Sequence, residues 1–130
     1  MKILFVCAHN RFRSKVAEFI FKKLDKKDEV KSAGIQLDFS RPYVAENVKI
    51  ALKKREIFEI DEKAREINIY DLEWADRIII IADNINEEIF PREKTEIWKI
   101  GDADEKDMEK IEKIVSEIEE KVKKLIEGLH

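Results

Sequence analysis

Two stretches, Lys2-Ile-Leu-Phe-Val-Cys7 and Arg77-Ile-Ile-Ile-Ile-Ala82, are apolar and largely β-branched with scarcely a break. A strand with one wet face alternates polar and apolar residues; a strand covered on both faces does not. Both runs therefore predict strands inside a parallel sheet. Parallel neighbours need a crossover, usually a helix. A helical pattern does follow the first run: Val16, Ala17, Phe19, Ile20, Phe21 and Leu24 recur at helical spacing from Ser14 to Leu24.

The rest of the chain continues the alternation. Glu29 to Ile35, ending near Gly34, predicts a second short strand. Ser40-Arg41-Pro42 has the form of a helix start, with Ser40 as N-cap and proline in the first turn; Val44, Val48, Ala51 and Leu52 then mark one face. Between Ile57 and Trp74 a turn and a short helix near Asp71 to Ala75 are expected. Asn84 to Phe90 predicts another short helix, stopped by Pro91. Thr95 to Ile100 alternates and predicts the last strand. Asp104 to Leu129 carries Met108, Ile111, Val115, Ile118, Val122, Leu125 and Leu129 along one face of a long helix, with Gly128 as its stop. Ile114 and Ile126 widen that stripe, which favours packing on a sheet over a coiled coil. Strands alternating with helices predict an α/β sandwich with a mostly parallel sheet. A chain of 130 residues suits a single domain, 1–130.

Composition narrows the partners. Lys+Arg total 26 and Asp+Glu 29, a net charge of −3, so no basic excess invites nucleic acid. Charged residues reach 42% with only 3 Gly and 2 Pro, a balance common in proteins from hot environments. The longest apolar run, Ile78 to Ala82, is too short to span a membrane. A single cysteine excludes an intramolecular disulfide; with no signal peptide apparent, a cytoplasmic location is expected.

That cysteine, Cys7, ends the first strand, and ligands of open α/β sheets bind beyond the carboxyl ends of strands. Five residues, Ala8, His9, Asn10, Arg11 and Phe12, separate it from Arg13 and Ser14 at the helix start. A loop of that length can turn its N–H groups inward and, with the helix N-terminus, cradle a tetrahedral oxyanion. Arg13 would offer two parallel hydrogen bonds. A thiol at the floor of such a cradle feels the same positive field and would act as a thiolate nucleophile toward phosphorus. Ser14 could donate a hydrogen bond to the sulfur, and Asn10 tolerates the left-handed conformation that a tight loop needs. Against this stands a plainer picture: Cys7 as a small buried hydrophobe, Arg13 as a surface arginine and Ser14 as a helix cap.

Val6-Cys7-Ala8-His9-Asn10-Arg11-Phe12-Arg13-Ser14, followed by Ala17-Glu18, resembles the signature of low-molecular-weight protein tyrosine phosphatases, which the related thioredoxin-coupled arsenate reductases share. Ser32-Ala33-Gly34 resembles the small triplet after the family's second strand. Ala75-Asp76 before the third strand, then Asp83 and Asn86, also match. The resemblance implies a three-layer sandwich, a four-stranded parallel sheet with helices on both faces. It implies hydrolysis of a phosphorylated protein or small phosphomonoester through a cysteinyl-phosphate, with no metal; no cofactor and a monomer are expected. The phosphate-binding residues would be Ala8 to Ser14. A general acid is also implied, an aspartate usually followed by proline after the fourth strand; Asp102 falls at that place, followed here by Ala103.

This chain departs from the pattern at three loop positions. Phe12 stands where a second cysteine is frequent, His9 where glycine is common, and Arg11 at a rim position usually less charged. Arg11 would favour substrates with extra negative charge, unless it is merely a solvated surface arginine. Phe39 and Tyr43 are candidates for aromatic walls. The alternatives are an arsenate reductase using an external thiol, since no further cysteine can form an internal relay, a cysteine phosphocarrier, and a non-catalytic phosphate-binding module.

Overall fold

The two apolar runs become the central strands of the sheet. A computed structural model describes residues 1–130. In chain order it contains β1 (Lys2–Cys7), α1 (Arg13–Leu24), β2 (Glu29–Gly34), α2 (Glu46–Lys53), α3 (Ile69–Trp74), β3 (Arg77–Ile81), β4 (Thr95–Trp98) and α4 (Met108–Leu129). The strands lie in the order β2-β1-β3-β4, and every neighbouring pair is parallel. The expected four-stranded parallel α/β sandwich is what forms.

Alternation across the sheet assigns each layer. Ile3, Phe5, Ile79, Ile81 and Trp98 face one side, where α1, α2 and α4 supply Val16, Ile20, Val48, Ile111, Val115 and Ile118. Leu4, Val6, Ile78 and Ile80 face the other, covered by Leu72 and Trp74 of α3 and by Phe90. The wide stripe of α4 is thus spent inside the molecule, against the sheet side and α1, which removes the coiled-coil alternative. No helix is long and apolar enough to cross a membrane.

Four local expectations fail. No helix begins at Ser40. The Asp38 carboxylate accepts from the Ser40 N–H and hydroxyl at 3.1 and 2.6 Å, closing a turn instead. Pro42 to Val44 then pairs with 62–64 through Val44 N–H to Glu62 O and Ala64 N–H to Pro42 O, both 2.8 Å. α2 starts only at Glu46. The segment from Asn84 to Phe90 forms turns, not a helix, and buries Phe90 against the sheet. α4 begins at Met108, capped by the Asp107 carboxylate on Lys110 N–H at 3.1 Å; the Asp104 carboxylate instead holds Lys106 N–H in the preceding turn. Gly128 does not stop α4, which continues to Leu129. The short helix near Asp71 is present as α3, set by a reciprocal cap between Asn68 and Asp71.

Candidate active site

β1 sits between β2 and β3, so the chain leaves it toward opposite sides of the sheet. The carboxyl end of β1 is therefore the switch point, and Cys7 occupies it. Residues 8–12 connect β1 to Arg13, the first residue of α1. Asn10 at the centre of this loop has φ 55°, the left-handed conformation expected of it.

A chain of hydrogen bonds runs beneath the loop from Arg65 to Cys7. Arg65 N–H can only donate, and it donates to Asn10 Oδ1 at 3.0 Å. The Asn10 amide is thereby oriented, and its two Nδ2 protons go to Ser14 Oγ at 2.7 Å and Ser32 Oγ at 3.0 Å. Ser32 in turn donates to the Glu18 carboxylate at 2.6 Å, and Lys22 pairs with Glu18 at 2.8 Å. The Ser14 hydroxyl, which accepts from Asn10, shares a hydrogen bond of 2.9 Å with Cys7 Sγ, and with the sulfur as thiolate the hydroxyl is the donor. Ser14 N–H also points to the sulfur, at 3.4 Å. The hydroxyl and the N–H of Ser14 thus both meet the buried sulfur. Asn10 and Ser14 are fully buried.

Gly34 completes this floor. It pairs with Cys7 in the β1–β2 register, and a Cβ on it would lie 2.9 Å from the His9 carbonyl carbon and 3.0 Å from Ala8 O and Asn10 Cβ. The loop can descend onto the sheet only because that side chain is missing. Ile35 N–H to Cys7 O at 3.1 Å and Gln36 N–H to Ala8 O at 2.8 Å hold it down. His9 Nδ1 meets Gln36 O at 2.6 Å, the ring donating to the carbonyl.

Arg13 is buried, at 5% exposure, and its Nη1 donates to Ile100 O at 2.8 Å. Asp83 and Asp102 approach it from above, each with a carboxylate oxygen at 3.8 Å. A cavity of about 250 Å³ opens over Cys7. Of the residues the sequence singled out, Cys7, His9, Arg11, Phe12, Arg13 and Asp102 line it; Ala8, Asn10 and Ser14 do not, the last two lying behind the loop as supports.

The rim differs from expectation. Phe39 and Tyr43 are exposed and line no part of this cavity; its apolar walls are Phe12, Ala45, Val48, Ala103 and Ile111. Arg11 is not a solvated surface arginine. Its Nε donates to Tyr43 O at 2.8 Å and its Nη1 pairs with Glu105 at 3.0 Å. Arg41 reaches the same Glu105 oxygen at 3.3 Å. Hydrogen bonds from Ser40 and then Arg41 hold the Asp38 carboxyl down to about 2, so Asp38 stays charged and anchors Arg41. Far from this site, at the amino end of the sheet, Asp25, Asp28 and His130 cluster, with His130 Nε2 at 3.1 and 3.2 Å from the two carboxylates.

Sequence reasoning missed the roles of Glu18, Ser32 and the Arg65 peptide. The available signal was polar residues set among buried neighbours: Glu18 between Ala17 and Phe19, and Ser32 before Ala33.

The family described as low molecular weight phosphotyrosine protein phosphatase matches residues 2–130. Among solved structures, an arsenate reductase from Archaeoglobus fulgidus is 31% identical at a TM-score of 0.77, over 95% of this chain and 98% of that one. The YwlE arginine phosphatase from Geobacillus stearothermophilus is 26% identical at 0.82, over 98% and 92%. Vibrio vulnificus Wzb, in complex with benzylphosphonate, is 21% identical at 0.84, over 98% and 97%, and shares the fold. No curated protein sequence matches the chain.

Proposed function

The chain belongs to the low molecular weight phosphotyrosine protein phosphatase family, and from that membership and the loop geometry we propose that it hydrolyses phosphomonoesters of the phosphotyrosine type through a cysteinyl-phosphate. The observation that carries this reading is the hydrogen-bonded chain from Arg65 N–H through Asn10 and Ser14 to Cys7 Sγ, with Cys7 facing the buried Arg13 across one cavity. A structural cysteine has no need of two aligned donors.

The residues then divide the work. The phosphoryl oxygens seat in the loop 8–14 against the Arg13 guanidinium, which accepts the charge spread over the equatorial oxygens in the transition state. Cys7 sulfur attacks phosphorus, and the bond to the ester oxygen breaks as Asp102 delivers a proton to that oxygen. A cysteinyl-phosphate remains. Asp102, now a carboxylate, takes a proton from water as the water oxygen attacks phosphorus and the sulfur departs. The Ser14 hydroxyl stabilises the thiolate in both directions.

One observation favours a second reading. The 31% identical neighbour is named an arsenate reductase, and arsenate has the shape and charge of phosphate. Cys7 is the only cysteine. An electron pair for arsenate would therefore come from an external thiol attacking the Cys7 sulfur, leaving a mixed disulfide as arsenite departs.

Hydrolysis of p-nitrophenyl phosphate by the wild type, reduced to background in Cys7→Ser and in Arg13→Ala, is the expected result. Arsenate with glutathione or a thioredoxin system tests the second reading in parallel. A wild type silent toward the ester, with arsenite formed, would replace the first reading by the second; stable phosphorylation of Cys7 without turnover would favour a carrier.

A further inference from the structure

The cavity over Cys7 shares a wall with a second, larger one of about 530 Å³, and Arg11, Arg41 and Glu105 belong to both. The wall is an ion triad. A single oxygen, Glu105 Oε2, lies 3.0 Å from Arg11 Nη1 and 3.3 Å from Arg41 Nη1. That oxygen is buried yet accepts no well-aligned hydrogen bond. The two cations are anchored independently of it: Arg11 Nε on Tyr43 O at 2.8 Å, Arg41 Nε on Asp38 Oδ2 at 2.9 Å. Glu105 is held by its main chain, whose carbonyl accepts from Asn47 Nδ2 at 2.8 Å, so its side chain can swing out without moving the loop. Two fixed guanidiniums with one movable carboxylate between them form an anion site occupied by a placeholder.

We propose that Arg11 and Arg41 form a subsite for a second anionic group of the substrate, an acidic side chain flanking the phosphorylated residue of a peptide, and that Glu105 is the internal carboxylate it displaces. The inference rests on the phosphatase reading above and specifies its substrate. The second cavity supports a peptide over a small diacid. It exceeds the volume over Cys7, and beyond the triad it offers the half-exposed Tyr43 ring and Lys106, an apolar face and a further cation. Glu46 is its other acidic wall residue.

The test uses two phosphotyrosyl peptides of equal length, flanked by glutamate or by glutamine, with p-nitrophenyl phosphate as reference. The wild type should prefer the glutamate peptide by about three- to five-fold in kcat/KM at low salt, the range of a partly exposed charge pair. High salt should shrink that preference. Arg41→Ala should bring the ratio to about one. Glu105→Gln, which removes the competing charge and keeps the shape, should raise the ratio above the wild-type value. A ratio of one in the wild type, beside brisk p-nitrophenyl phosphate turnover, overturns the subsite and leaves the phosphatase reading standing, as does a ratio lowered by Glu105→Gln. No turnover of any of the three esters overturns the phosphatase reading and the subsite with it.

Discussion

Gly34→Ala adds one methyl group, and the structure indicates where the strain must go. Gly34 has no positive φ, so conformational freedom is not at issue; space is. The new Cβ would stand 2.9 Å from the His9 carbonyl carbon and 3.0 Å from Ala8 O, both main-chain atoms, where ordinary contact begins at 3.4 Å. Something must yield by about 0.5 Å. The strand is poorly able to, because Gly34 N–H donates to Arg65 O at 2.8 Å and Ile67 N–H donates to Gly34 O at 2.9 Å. The loop therefore rises, carrying Asn10 away from Ser14 and the sulfur. Overpacking of this kind costs about 1–3 kcal/mol. A misplacement of about 1 Å at a reacting centre can cost ~100-fold, so half of that suggests about a ten-fold loss in kcat/KM. At roughly 3–5 °C per kcal/mol for a domain of this size, the melting temperature should fall by about 3–15 °C. Turnover of p-nitrophenyl phosphate and a thermal melt on the same preparation read both numbers. A variant within two-fold of wild-type activity and with an unchanged melt would show that the loop does not rest on Gly34.

Three further predictions follow from the same contacts. Asn10→Ala strips Arg65 N–H of its acceptor and forces a left-handed alanine, so denaturant unfolding should show a loss of about 2–4 kcal/mol, and activity should fall more than ten-fold as the Ser14 proton loses its direction. Asp102→Asn should slow the first step about 100-fold or more with phenyl phosphate but far less with p-nitrophenyl phosphate, whose leaving group needs little proton help; equal slowing of both would remove Asp102 as the acid. Burial opposes the charge of Asp25, but hydrogen bonds from His130 and the backbone N–H groups of Asp28 and Lys27 outweigh it and hold its carboxyl well below the ordinary 3.8. The resulting stability is present above that value and is lost as pH falls through the lower folded value, so Asp25→Asn should lower the melting temperature at neutral pH and flatten its decline below pH ~4.

What the residues revealed beforehand depended on whether the cause was local. β1 and β3 were legible because burial on both faces removes alternation, and α4 because its stripe repeats. The segment between β2 and α3 was not, because it is held by main-chain pairs between distant residues, such as Val44 with Glu62 and Gly34 with Arg65, which leave no period in the sequence. Ser40-Arg41-Pro42 misled for the opposite reason: its local chemistry fits a helix start, yet the neighbouring Asp38 captures the same N–H and hydroxyl. At the site, the spacing from Cys7 to Arg13 was readable because a loop and a helix start impose it. Asp102 was reachable only through resemblance. Glu18 and Ser32 were hidden because their partners come from other elements, and the second cavity because Arg41 and Glu105 lie far apart along the chain.

The same logic explains why Arg13 is tied to a carbonyl and not tightly to a carboxylate. Its bond to Ile100 O at 2.8 Å fixes the guanidinium without neutralising it. Asp83 and Asp102 sit at 3.8 Å with half or more of their side chains in water, too far for a direct hydrogen bond. They offset the buried charge while the site is free, at little energetic commitment. Under the proposed function, an arriving phosphoryl group, doubly charged and able to take two N–H groups in parallel, would outcompete both. In the proposed mechanism Asp102 would then be released from the cation to deliver its proton to the ester oxygen. A tighter Arg13–Asp102 pair would keep the guanidinium occupied and would oppose entry of the phosphoryl group that the proposed mechanism requires.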